Sequence, residues 1–161
     1  MPGENNSDTG KELIFSRMLD APLEQVWKVW TSPEHIQHWW GPNGFKNTIT
    51  KMDVRSGGEW HLIMHDPNGS DYHQRCLFRE IVKYKKIVYE QLTQFRYVAT
   101  VEFERKGNKT LIRWQMLFES REYMIEAAKA YKVDEGLIQT AERLISYLSR
   151  SNNKINKDEN N

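Results

Sequence analysis

The groups in this 161-residue chain whose types suit chemistry are five histidines, one cysteine and a scatter of carboxylates. His35 and His38 stand three apart, so one helical turn would bring them near each other, but a tight metal site draws on three or four ligands. His61 and His65 point to one side of a strand; at roughly 3.3 Å per residue they lie about 13 Å apart, too far to share an ion. With no cysteine cluster and no His-x-x-x-His helix, neither a metal site nor a cofactor is expected. A Ser-His-Asp order, a P-loop and a dinucleotide fingerprint are also missing; the glycines of "GPNG" and "RSGG" read as turn glycines. Acid–base work needs a carboxylate on an apolar face, where burial raises its pKa. Glu102 and Glu104 alternate outward, which leaves Glu90, since Val88, Glu90 and Leu92 share a face. The opposite assignment, with Ile87 and Tyr89 inward and Glu90 in solvent, fits the same strand. Gln74 shares a face with Tyr72, Cys76 and Phe78 and is a candidate polar contact. Cys76, with no histidine on its side of the strand, reads as a buried and unreactive thiol. No catalytic residue is assigned.

The aromatic residues carry more information. "HIQHWWGPNGF", His35 to Phe45, sets Trp39 and Trp40 side by side and then stops the chain with Gly41-Pro42. Two indoles at such a break are core, the rim of a pocket, or an anchor for another protein. On the pocket reading one tryptophan stacks on a ligand at an entrance that Gly41-Pro42 holds open. The candidate ligand-binding residues are then Trp39, Trp40, Trp60, Met64, Gln74, Phe78, Glu90, Phe103, Trp114 and Met116.

These side chains need elements to hold them. "ELIFSRML" (12–19) has strand composition and ends at "DAP". Pro22 suits the first helical position, and Leu23, Val26, Trp27 and Trp30 recur on one helical face. Ser32 as N-cap and Pro33 restart a second short helix whose face holds Ile36, Trp39 and Trp40. After Gly44 the period changes to two, and six strands run to about Phe118 between turn signals such as "RSGGE", "DPNG" and Lys106-Gly107-Asn108-Lys109. They read as an antiparallel meander that the first strand joins at one edge. Ile112, Trp114, Met116 and Phe118 alternate with polar residues, so one face is apolar and needs a cover. Leu137, Ala141, Leu144 and Leu148, at spacings of 4, 3 and 4, supply it on a long last helix that Asp134 would cap, with 121–132 leading in and Gly136 as a weak point. A sheet bent around one helix leaves wedge-shaped space between them.

Composition excludes several classes. Lys+Arg 23 against Asp+Glu 22 gives a net charge of +1, without a nucleic-acid footprint. The single cysteine excludes an internal disulfide and fits a reducing compartment. No apolar run nears the roughly 20 residues that span a bilayer, and "MPGENNSDT" lacks the layout of a signal peptide, so a cytoplasmic location away from membranes is expected. Residues 1–10 and 151–161 have little to bury and read as disordered tails around a single domain, 11–150.

"DAPLEQVWKVWTSPEHIQHWWGPNGF", "RSGGEW", "DPNG", and "FREIV" followed by "KKIVYE" together resemble the START-like SRPBCC superfamily, in particular homologues of the heat-shock-protein-90 ATPase activators. The resemblance covers about residues 13–148. It implies an α+β helix-grip fold: an antiparallel sheet curved around a long C-terminal helix, with two short helices after the first strand. It also implies a cavity between sheet and helix that in relatives holds apolar molecules. The additional N-terminal domain of the eukaryotic activators has no counterpart in these residues, which weighs against direct chaperone activation. Relatives often place an aromatic after the glycine that opens the last helix; Gly136-Leu137 here implies a different cavity mouth. The expected function is non-catalytic binding of a small hydrophobic or aromatic molecule. The alternatives are a chaperone-activating interaction module and a cyclase- or aromatase-like enzyme. The expected partner is an apolar ligand, with a chaperone or a second copy of the chain as further candidates.

Overall fold

The computed structural model describes the backbone of residues 10–159 and the side chains of 10–151. Strand β1 (Glu12–Leu19) leads into helices α1 (Leu23–Thr31) and α2 (Pro33–Ile36). Six strands follow: β2 (Lys46–Met52), β3 (Glu59–His65), β4 (Asp71–Val82), β5 (Lys86–Gln91), β6 (Tyr97–Lys106) and β7 (Lys109–Leu117). Helices α3 (Arg121–Tyr131) and α4 (Val133–Glu159) close the chain. All seven strands form one antiparallel sheet in the order β1-β7-β6-β5-β4-β3-β2, a meander completed by β1 against β7. This is the helix-grip architecture read from the sequence.

The inward rows of the sheet follow the period of two. Trp60, Leu62 and Met64 of β3, Tyr97, Ala99, Val101 and Phe103 of β6, and Ile112, Trp114 and Met116 of β7 are all buried. Opposite them α4 buries Leu137, Ala141, Leu144 and Leu148, the expected stripe. α1 adds Leu23, Val26, Trp27, Val29 and Trp30. α4 continues to Glu159, past the boundary at 150 that polar composition placed there. Residues 1–9, 160 and 161 of the expected tails lie outside the described residues.

The turns explain the glycine motifs. In "RSGGEW" a Cβ on Gly58 would sit 2.0 Å from the Asp53 carbonyl oxygen, so no other residue fits that approach. The Gly57 N–H donates to Phe78 O at 2.7 Å and the Phe78 N–H to Gly58 O at 2.8 Å, which extends the β3–β4 pairing beyond the strand itself. In "DPNG" the Asp66 carboxylate accepts from the N–H groups of Asn68 and Ser70 at 2.8 and 2.9 Å; the Ser70 bond, above the others, holds the carboxyl below its usual range.

Three details of the helices differ from the sequence reading, the first being that Pro22 is the N-cap of α1 rather than its first helical residue. α2 is a single turn, so Trp39 and Trp40 lie in the turn beyond it rather than on a helical face, and both are buried. Asp134 lies in the first turn of α4 and does not cap it. α3 is capped by Lys132, whose φ of 52° is left-handed, and α4 begins at the next residue, so the two helices meet in an elbow with a single residue between them.

Candidate functional site

The wedge between sheet and helices is mostly filled by indoles. Trp30 packs edge-on against Trp39 and Trp114, with ring centres 4.9 and 4.8 Å apart. Trp40 meets Trp60 at 4.8 Å and stacks on Trp114 at 5.7 Å. Trp60 in turn stacks on Phe78 at 5.8 Å. The end of the wedge under the α3–α4 elbow is left open, as a cavity of about 90 Å³. Trp40, Gly41 and Pro42 form one wall; Met64, Gln74, Tyr89, Tyr97, Trp114 and Met116 rise from the sheet; Tyr131, Val133, Gly136, Leu137 and Thr140 close it from the helices. Phe95, in the β5–β6 loop, packs against Tyr131 at 5.0 Å over the rim, where Lys132 also borders the opening.

Of the ten residues picked from the sequence, Trp40, Met64, Gln74, Trp114 and Met116 border this space. The other five stand away from it. Trp39 is wholly buried and turns toward α1, where its Nε1–H donates to the Val29 carbonyl at 3.1 Å. Trp60 and Phe78 lie behind Trp40 as packing. Phe103 sits toward the opposite end, against Trp27 at 5.2 Å. Glu90 faces outward, where Arg79 Nε donates to its carboxylate at 2.9 Å and Arg96 Nη2 lies at 3.4 Å. The pairing register decides that orientation: Tyr89 is opposite Phe78 and Gln91 opposite Cys76, so the inward face of β4 draws Tyr89 and Gln91 inward and Glu90 out.

The "WWGP" wall is held by a residue the sequence reading passed over. Arg143, on α4, sends Nη1 to the carbonyls of Trp40, Gly41 and Pro42 at 2.9, 2.8 and 2.9 Å, and Nη2 to those of His38 and Phe45 at 3.2 and 3.0 Å. One guanidinium thus gathers five carbonyls of a single loop, a task for which its planar fork of donors is suited. Partial burial lowers its pKa from the usual arginine value. Asn47 Nδ2 donates to the carbonyls of Gln37 and Trp40, at 3.0 and 2.8 Å, from the other side. One turn before Arg143, Gln139 Oε1 accepts from Asn43 N at 3.0 Å. Gly41, at φ +93°, makes the turn possible; a Cβ there would meet Met64 Cε at 2.7 Å.

The sequence profile for activator of Hsp90 ATPase homolog 1-like protein matches residues 20–149. The chain belongs to that family. Among solved structures, a protein of Arthrobacter aurescens superposes with a TM-score of 0.82 at 23% identity, over 88% of this chain and 87% of that one. A protein of Nitrosomonas europaea gives 0.78 at 21% identity, over 90% and 98%. The AHSA1-like protein of Aeromonas hydrophila gives 0.68 at 14%, over 87% and 94%. These likenesses show a shared fold. A comparison with curated proteins finds no match.

In this member of the Hsp90-activator-like family the buried polar residues of the cavity are Gln74, Tyr89, Tyr97 and Thr140. The hydroxyls of Tyr89 and Tyr97 lie 3.4 Å apart, on residues that are 0% and 8% exposed. Burial raises both phenol pKa values above the usual tyrosine range. Behind them, burial pushes the Cys76 thiol up to about 12. All three are protonated at neutral pH. The Trp114 Nε1–H points toward the Tyr89 oxygen without closing a hydrogen bond. Gln74 Nε2 reaches Gln94 Oε1 only at 3.5 Å. Three of the five histidines are engaged elsewhere: His61 with Glu59 at 3.0 Å, His65 with Asp71 at 2.7 Å, and His35 with the Tyr147 hydroxyl at 2.7 Å. Among the described residues no helix is long and apolar enough to cross a membrane.

Proposed function

We propose that this protein binds a compact apolar or aromatic molecule, without transforming it, in the cavity beneath the α3–α4 elbow. The observation that carries the reading is a cavity lined mainly by apolar and aromatic side chains and open at its rim, at the end of the helix-grip wedge that the protein's own indoles leave unfilled. Trp40, Met64, Gln74, Trp114 and Met116 are the ligand-contacting residues drawn from the sequence, and Tyr89, Tyr97 and Leu137 join them. Sites for drug-sized ligands occupy roughly 300–1,000 Å³. A cavity of about 90 Å³ therefore fits a one-ring molecule rather than a sterol or a polyketide.

A binding role, rather than an enzymatic one, is supported by the absence of carboxylates and histidines from that lining. Its tyrosines are held protonated, so neither serves as a base near neutral pH. The lone buried thiol Cys76 suits a reducing cytoplasm.

The family's description names an ATPase activator of a chaperone, and this supports a second reading in which the chain is an interaction module. Exposed Ile125, Tyr131 and Ile138 on the helices would then meet the partner. Tryptophan fluorescence separates the two. Titration with a panel of one-ring apolar compounds should give a saturable change, because Trp40 and Trp114 border the space, and Leu137→Trp should abolish it. A flat response across the panel, together with stimulation of a chaperone ATPase, would replace the first reading with the second.

A further inference from the structure

Tyr89 and Tyr97 form a pair with one proton to spare. Two neutral hydroxyls 3.4 Å apart share one hydrogen bond, in which one donates and the other accepts. The accepting hydroxyl keeps its own O–H, and no other acceptor for it exists among the described residues. The indole N–H of Trp114, in the same wall, is buried and directed at the Tyr89 oxygen without closing a hydrogen bond. A buried donor left unmade costs more than the average hydrogen bond contributes, so uncommitted donors around an apolar cavity favour an occupant that carries an acceptor. The rest of the lining selects against charge: it contains no acidic side chain, and its only cation, Lys132, is at the exposed rim.

We infer that the Tyr89–Tyr97 hydroxyl pair, with the Trp114 N–H beside it, is the polar subsite of the cavity, and that the ligand is an uncharged one-ring molecule with a single acceptor oxygen, such as a cyclic ketone. This rests on the binding role proposed above and narrows it. The ring would lie against Trp40, Met64 and Met116, and the oxygen would accept the free phenolic proton. No bond is made or broken.

The test uses cyclohexanone and methylenecyclohexane, which share a shape and differ in whether an oxygen or a CH₂ stands at the exocyclic position. Dissociation constants for both are measured on the full chain and on its Tyr97→Phe and Tyr89→Phe variants. The wild type should bind the ketone at least as tightly as the alkene, although water solvates the ketone better. At least one Phe variant should lose about tenfold in ketone affinity, as expected for one hydrogen bond, while alkene affinity stays within about twofold. Unchanged alkene binding also reports that the variant cavity is intact. If the ketone-to-alkene ratio is the same in all three proteins, the pair is not the subsite and the inference falls, while the binding role stands. If neither compound binds the wild type, the binding role itself falls. A ratio that changes only with cyclohexanecarboxylate in place of the ketone would assign the polar contact to Lys132 and also overturn the inference.

Discussion

Arg143 shows how one side chain can define a wall of a site it never enters. Its five carbonyl contacts give the loop from His38 to Phe45 its shape, and that loop carries Trp40, Gly41 and Pro42 to the cavity. Lysine keeps the charge but has no planar fork to gather carbonyls on two sides. Arg143→Lys should therefore cost about 2 kcal/mol, and Arg143→Ala about 3 kcal/mol, in urea unfolding, with ligand affinity falling in both. His35 provides a second prediction at this scale. Burial lowers its pKa, as do Lys28 and neighbouring His38 to a lesser degree, while Glu34 opposes them. A histidine with a depressed folded pKa binds fewer protons folded than unfolded, so stability is full above about pH 6.5 and declines as the pH falls below it. Unfolding measured at pH 7.5 and 5.5 should show that decline, and His35→Gln should reduce it. The two residues differ in how visible they are to sequence reasoning. Trp40 announces itself by type and by the Gly-Pro that follows. Arg143 sits next to Leu144 on a helix with polar residues on every other face, and nothing in its spacing separates it from a solvated arginine.

At the scale of elements, periodicity was enough to read most of the molecule. A period of two with turn residues between strands located all six strands of the meander, and the 4-3-4 spacing of α4 located its buried stripe. What periodicity cannot decide is which of two apolar faces of a strand turns inward; for β5 the pairing with β4 settled that. It also cannot express the junction of α3 with α4, because a left-handed lysine leaves no turn signature of the kind glycine does. Gly136, four residues into the second helix, is the adjustable part of this junction. A Cβ there would meet Pro42 Cγ at 3.6 Å, an ordinary contact, and its φ is not left-handed. Gly136→Ala should therefore stabilise the protein by about 0.5–1 kcal/mol, through helix propensity and a less flexible unfolded chain. The new methyl group also narrows the space between α4 and the "WWGP" wall. Stopped-flow fluorescence should accordingly show slower ligand association even as the melting temperature rises.

For the whole molecule, the fold fixes a wedge and the aromatic residues fix how much of it remains. The sequence places Trp30, Trp39, Trp40, Trp60 and Trp114 on inward faces, but face alone does not say how far along the wedge each ring extends. That is why Trp60, Phe78 and Phe103 became packing while Tyr89 and Tyr97 took the places beside the cavity. Trp40 stands at the border between the filled and the open part, touching Trp30, Trp39, Trp60, Tyr89 and Trp114. Its size therefore sets both stability and capacity, and Trp40→Leu should alter the two in opposite directions. Loss of most of an indole from a packed cluster should cost about 3 kcal/mol in urea unfolding. If the neighbouring rings are held in place by β3, β5 and β7, the vacated volume adds to the cavity, and a two-ring compound such as naphthalene should bind the variant but not the wild type. If instead the rings close over the gap, the stability loss would be smaller and naphthalene would bind neither protein. The rigid outcome is favoured because each remaining indole is backed by another ring: Trp114 by Trp30, and Trp60 by Phe78.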